Sequence, residues 1–242
     1  MPVYLIYYGA FPDSTKDILN DFFTGLGGSA QFAVNTTYYD GTPAYISGLL
    51  NYSAANVFTD SAASQGTQVN SNTVLKILQH AVAPTTANHL PVVDGAVYFV
   101  LPAPGLKVAG FCTSFCAYHS SSTGIVSGHT IRYALVPDPS QKCTACDGNV
   151  ALGETGTPNG DAGADEMTDS IMHELSETVT DPDGSGWFTS SGAENADLCN
   201  YNYGAVQKIG GISFNAHWLG RRFLIQTIWE NKGAGFCTNT VQ

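Results

Sequence analysis

Positive charge is scarce in this chain. Only nine of its 242 residues are Lys or Arg against twenty Asp or Glu, giving a net charge of −11 and a pI near 4.6. A protein that binds a polyanion must neutralise phosphates with basic side chains, so nucleic acid and an anionic membrane surface are poor partners for it. Charge of either sign is thin, at 12% of residues. Its place is taken by Gly, Ser, Thr, Asn and Tyr, a mixture that resembles extracellular rather than cytosolic chains. Long hydrophobic runs are missing as well: no apolar stretch approaches the roughly 20 residues a membrane-spanning helix requires. The opening Met1-Pro2-Val3-Tyr4-Leu5-Ile6-Tyr7-Tyr8-Gly9 lacks the basic leader and cleavage site of a signal peptide and reads as a buried strand, so secretion would need a leader already removed. The sequons Asn35-Thr36-Thr37 and Asn51-Tyr52-Ser53 suit a secreted protein.

Neither an internal repeat nor a separating linker interrupts the chain, and its length suits one domain spanning residues 1–242 that buries a substantial core unaided. Strand-like and helix-like segments alternate along it. Residues 3–8 read as a first strand. Asp13 or Ser14 then caps a helix through Ile18, Leu19, Phe22 and Phe23 that stops at Gly25-Leu26-Gly27-Gly28. Residues 31–39 read as a second strand, 73–82 as a helix with Val74, Ile77, Leu78 and Val82 on its apolar face, and 96–101 as a central strand. Residues 110–120 form a crosslinked loop, 130–136 a further strand, 148–163 an exposed loop, and 221–229 a strand-like alternation. The expected architecture is α/β, a mixed sheet with packed helices and disulfide-stabilised loops.

What the chain has in excess is acid, and it is concentrated. Ten of the twenty carboxylates lie between Asp161 and Asp197, while no Lys or Arg occurs between Lys142 and Lys208. Carboxylates crowded without basic partners either point into water or are compensated by a bound cation. Within this stretch, residues 165–179 read as a helix with Met167, Ile171, Leu175 and Val179 along an apolar stripe. His173 and Glu177 are four apart, so they share one face and can share an ion. Glu174 is placed as the glutamate of the zincin His-Glu-x-x-His helix is placed, to take a proton from metal-bound water. Here Glu177 stands where the second histidine would be. The same spacing also suits a plain hydrogen-bonded His–Glu pair on an amphipathic helix.

Six cysteines, Cys112, Cys116, Cys143, Cys146, Cys199 and Cys237, lie in the second half. Their even number argues for three disulfides, and proximity and elimination pair Cys112 with Cys116, Cys143 with Cys146, and Cys199 with Cys237. A four-cysteine zinc site from Cys112-x3-Cys116 and Cys143-x2-Cys146 is the alternative.

Several segments in fixed order resemble the exordium or phosphate-induced protein family of plants, which also has fungal and bacterial relatives. They are Val3 through Gly9, Val97-Tyr98-Phe99-Val100-Leu101, Gly110-Phe111-Cys112 through Cys116-Ala117-Tyr118-His119, Cys143-x2-Cys146, His173-Glu174-Leu175-Ser176-Glu177, Glu194-Asn195-Ala196-Asp197-Leu198-Cys199, and Phe214-Asn215 followed by Gly220 through Gln226. The chain departs from the plant pattern at Phe11, Asp181 and His217, which makes Asp181 and His217 less safe as site residues, and it is read as a fungal or bacterial-type member. The resemblance implies secretion to the cell wall or extracellular space and a recurring polar set of His173, Glu174, Glu177, Glu194 and Asp197. It does not supply a biochemical activity.

Three functions fit these residues. In a zinc peptidase, His173 and Glu177 bind the ion, Glu174 activates a water, and Glu194 or Asp197 completes the ligands, with Asp183 a rival and the loop histidine His119 in reserve. In a calcium protein, Asp181-x-Asp183-x-Ser185-Gly186 opens like an EF-hand loop, although its twelfth position is Gly192. In a non-catalytic extracellular protein, some of the twelve tyrosines and three tryptophans stack on cell-wall glycan. The reading carried forward is peptide hydrolysis by a secreted zinc enzyme.

Overall fold

The computed structural model describes residues 1–39, 41, 44–140 and 143–241. Its centre is a five-stranded sheet made of β1 (Val3–Tyr8), β2 (Val57–Asp60), β3 (Val97–Pro102), β4 (Tyr118–Ser122) and β5 (Ile131–Leu135), in the order β2-β1-β3-β5-β4. The first four in that order run parallel, with Val3 opposite Val97 and Val97 opposite Arg132, and β4 closes the edge antiparallel to β5. β1 and β3 are buried along their whole length. Continuous apolar runs are what central parallel strands covered on both faces require.

Three long helices supply those covers: α1 (Asp13–Leu26), α2 (Ser71–Val82) and α3 (Ala162–Thr180). Leu5, Tyr7, Phe99 and Leu101 face one way, into a core with Leu19, Phe22 and Phe23 of α1 and Met167, Ile171 and Leu175 of α3. Ile6, Tyr8, Tyr98 and Val100 face the other way, onto Val74, Ile77 and Leu78 of α2. The result is a single-domain three-layer α/β fold. No helix among the described residues is long and apolar enough to cross a membrane.

Helix α3 departs from a simple amphipath. Its apolar stripe is buried as the spacing requires, but Asp165, Glu166, Glu174 and Glu177 are each no more than 4% exposed too. Buried carboxylates are expensive unless paired or bound to an ion. Asp165 accepts from Asn159, Glu166 from the Gly148 N–H, and Glu177 pairs with His173, which leaves Glu174 as the uncompensated one among the described residues.

The local readings at several segments are corrected. Residues 31–39 are a short helix (Ala30–Ala33) followed by a 3-10 turn (Val34–Thr37) rather than a strand. Ser29 caps the helix through Phe32 N, and the Thr36 and Thr37 hydroxyls bond back to the carbonyls of Ala33 and Val34, a local competition that overrides the β preference of Val and Thr. Asn35 is wholly buried in this turn, so its sequon is inaccessible in the folded chain. The 110–120 loop ends inside β4, the 148–163 loop opens with a one-turn helix at Gly148–Ala151, and the 221–229 run splits into the arms of two hairpins at Arg221–Phe223 and Ile228–Glu230.

All six cysteines are paired: Cys112 with Cys143, Cys116 with Cys146, and Cys199 with Cys237. The third pair was expected, and the first two are exchanged. Nearness in sequence misled because the loop entering β4 and the loop leaving β5 emerge side by side. Cα atoms 5.5 Å apart across the loops meet the geometry a disulfide needs. With every Sγ in a disulfide, the four-cysteine zinc site has no thiolates to build from.

Candidate metal centre

Two features of the fold assemble the site. The His173 turn of α3 packs beside the edge strand β4, and the chain after α3 reverses so that residues 194–197 return to the helix. The His173 Nε2 atom lies 3.0 Å from Glu177 Oε1 and 3.6 Å from Asp197 Oδ1. The backbone N–H of Asp197 donates to Glu177 Oε1 at 3.2 Å, and that of Glu194 to Asp197 Oδ2 at 3.1 Å, which pins the returning loop. Ligand atoms of His173, Glu177 and Asp197 all fall within 4.8 Å of one another.

A second histidine enters from β4. His119 Nε2 lies 3.0 Å from Glu194 Oε2 and 3.8 Å from Glu177 Oε2. Ligand atoms of His119, Glu174 and Glu177 form another group within 4.8 Å, so Glu177 belongs to both. Glu174 itself is 4% exposed, and its carboxylate makes no hydrogen bond among the described residues. The Glu194 Oε1 and His119 Nδ1 atoms are likewise buried without a partner.

Electrostatics follow from this crowding. Burial pushes the Glu174 carboxyl up to about 8, against the pull of the neighbouring His173. Burial alone would lower the His173 pKa, but hydrogen bonds to Asp197 and Glu177 and the surrounding carboxylates raise it well above the ordinary value. His119 is raised by the same balance, with Glu194 its main support against burial. Burial raises Glu194, while the His173 contact lowers Asp197. Among the described residues none of these four carboxylates has a Lys or Arg partner; their basic neighbours are the two histidines.

Behind the site a chain of hydrogen bonds holds His173 in place. Gln226 Oε1 lies 3.1 Å from His173 Nδ1, which leaves Nε2 facing the carboxylates, and Gln226 Nε2 donates to the Ala196 carbonyl at 2.9 Å. Asp169, one turn before His173, accepts from the Gln226 backbone N–H and from the Tyr203 hydroxyl. Burial lifts this carboxyl to about 6. On the far side of the helix, Asn35 Nδ2 donates to Ser176 Oγ and Asn35 Oδ1 accepts from Asn195, tying the helix to the returning loop. Such outer contacts orient ligands in metal sites.

In front lies a cleft of about 430 Å³, walled by residues 112–117, by Ala145 and Cys146, and by Tyr201, with Asp169, His173, Glu174, Asp197 and Gln226 on its floor. The two crossed disulfides thus shape the wall opposite α3.

The remaining candidates stand apart. Asp183 makes a bidentate pair with Arg132, at 2.7 and 3.1 Å, and Asp181 closes a turn by accepting from Gly186 N. Both aspartates of the EF-hand-like opening are therefore engaged by protein groups. Of the residues around the site, the sequence offered His119 only as a reserve metal residue, and Gln226 and Asp169 not at all. A histidine ending a motif beside paired cysteines, and a glutamine inside the apolar run 223–228, were the signals available.

The pattern of matches to known proteins decides the ancestry. The family model for the phosphate-induced protein 1 conserved region matches residues 1–239. The chain belongs to the phosphate-induced protein 1 family. Arabidopsis thaliana Protein EXORDIUM-like 3 is 27% identical over 98% of this chain and 78% of its own, and Nicotiana tabacum Protein PHOSPHATE-INDUCED 1 is 29% identical over 94% and 80%. Arabidopsis thaliana Protein EXORDIUM is 28% identical over 94% and 82%. No solved structure matches the chain. Three disulfides in this family member fit a protein that matures in an oxidising compartment.

Proposed function

We propose that this protein is a secreted metal-dependent hydrolase acting on peptide bonds. The observation that carries the reading is Glu174: a buried carboxylate without a hydrogen bond, standing over a cleft beside three convergent ligand side chains. His173, Glu177 and Asp197 hold the ion, with zinc the first candidate and a harder cation favoured by the two carboxylates. Glu174 accepts the proton of the attacking water and delivers it to the departing amine, the task its elevated pKa suits. Gln226 keeps the His173 Nε2 lone pair directed at the ion.

The edge strand supports a peptide as substrate. Among the described residues the outer side of β4 has no strand neighbour in the central sheet, and an extended chain can add there through main-chain hydrogen bonds. His119 on that strand brings the scissile bond over the centre. Incubation of the purified protein with a peptide library in zinc, and then in manganese, tests the reading. Cleavage that chelation abolishes, and that Glu174→Gln lowers about 10²-fold or more with the ion still bound, is expected. Absence of cleavage with either ion, or full activity in Glu174→Gln, overturns it.

One other observation favours a binding role. A cleft of about 600 Å³ at the C-terminal end of α3 is bordered by Tyr39, Tyr45 and Trp187, with Tyr39 and Tyr45 58% and 63% exposed. Exposed rings beside hydroxyl-bearing Thr180 and Ser185 suit stacking on cell-wall glycan. Retention on insoluble cell-wall polysaccharide, lost in Tyr45→Ala, would support that reading; equal retention of both proteins would remove it.

A further inference from the structure

We infer that the centre takes two divalent cations, bridged by Glu177. This rests on the metal-dependent reading above and specifies it. Glu177 sends its two oxygens in different directions, Oε1 to His173 at 3.0 Å and Oε2 toward His119 at 3.8 Å. The ligand groups His173–Glu177–Asp197 and His119–Glu174–Glu177 share that residue alone. In a tetrahedral zinc site with bonds near 2.0 to 2.2 Å, neighbouring ligand atoms stand about 3.3 Å apart. The distances from Glu177 straddle this value, at 3.0 Å to His173 and 3.8 Å to His119, and His173 to Asp197 stands at 3.6 Å.

One site is therefore His173, Asp197 and Glu177; the other is His119, Glu174 and Glu177, with Glu194 3.0 Å from the His119 imidazole. A carboxylate bridge holds two ions about 3.5 to 4 Å apart, the spacing of two-metal hydrolases. Charge points the same way. Four carboxylates converge here, Glu174, Glu177, Glu194 and Asp197, and none has a Lys or Arg partner among the described residues. With both imidazoles neutral as ligands and the four carboxylates ionised, one divalent ion leaves two charges uncompensated, whereas two ions balance them. The buried Glu174 carboxylate and the unpartnered Glu194 Oε1 are not ligands in a one-ion site at His173. With two ions one Glu174 oxygen joins the second site while the other stays free to accept a proton, and Glu194 fixes the His119 imidazole.

Equilibrium dialysis against zinc, with metal and protein counted in the same sample, tests the proposal. Two zinc ions per chain are expected for the wild type, one each for His119→Gln and Asp197→Ala, and none held tightly by Glu177→Gln. Circular dichroism of each variant separates ion loss from unfolding, and the wild-type ratio stands even if a variant fails to fold. A ratio of one in the wild type, unchanged in His119→Gln, overturns the bridge while leaving a one-ion hydrolase intact. A ratio of zero overturns both.

Discussion

Replacing Gln226 with Met is the sharpest probe of how the fold prepares His173. The side chain is 3% exposed, and it accepts from His173 Nδ1 while donating to the Ala196 carbonyl. Met fills similar volume without either hydrogen bond. The bond from the protonated His173 contributes about 1.5 to 3 kcal/mol and the neutral bond to the Ala196 carbonyl about 1 kcal/mol, so the ion-free protein should lose about 2 to 4 kcal/mol. Loss of the contact that fixes the imidazole tautomer should weaken the ion at Nε2 by 10- to 100-fold, which is about 1.4 to 2.7 kcal/mol. Urea unfolding in chelator reads the first quantity; competition with a chromophoric zinc chelator reads the second. Gln226→Glu keeps an acceptor for Nδ1 and should recover most of the affinity but not the stability, since the donor to Ala196 is gone. A Gln226→Met protein that is folded and binds zinc within twofold of wild type would refute the positioning role.

Other consequences are open to measurement. Burial, with the nearby Asp169 charge, raises Glu166 from 4.5 unfolded to about 9 folded, so between those values the native state keeps a proton the unfolded chain has released, and stability falls as pH rises. Glu166→Gln retains an acceptor for Gly148 N, removes that slope and should gain on wild type from pH 5 to 9, with a ceiling of about 6 kcal/mol; parallel urea midpoints would contradict this. The disulfides Cys112–Cys143 and Cys116–Cys146 close loops of separation 31 and 30, so each largely duplicates the other. Chain entropy assigns roughly 2.5 kcal/mol to losing either one and about 6 kcal/mol to losing both, and paired Cys→Ala variants in thermal melts should show that non-additivity. Asn35→Ala strands Ser176 Oγ and the Asn195 amide in the core and should cost about 2 to 4 kcal/mol in denaturant titration, where a loss below 1 kcal/mol would contradict the network.

The parts of the molecule legible in sequence are those where one physical signal dominates. β1 and β3 are apolar on both faces, and the stripe of Met167, Ile171 and Leu175 needs a helix, so both were readable locally. The face shared by His173 and Glu177 follows from helical geometry, and Glu194 and Asp197 could be reached because they follow a reversal. His119, held only in reserve as a metal residue, could not be placed at the site that way. It meets α3 only because β4 runs antiparallel at the sheet edge, a fact of strand order rather than of spacing. Gln226 hid among apolar neighbours, and the disulfides were misread because sequence proximity stood in for loop proximity. Residues 31–39 show the same limit on a smaller scale, with hydroxyl-to-backbone bonds outweighing β-branched composition.

The central claim is that the negative side chains around His173 enclose a cation. Crystals grown in zinc, with anomalous differences collected on either side of the zinc edge, test it most directly. The account predicts a peak about 2.0 to 2.2 Å from His173 Nε2 and a Glu177 oxygen, with Asp197 closing on it. A map without density there, with His173 still hydrogen-bonded to Glu177 at saturating zinc, would contradict it.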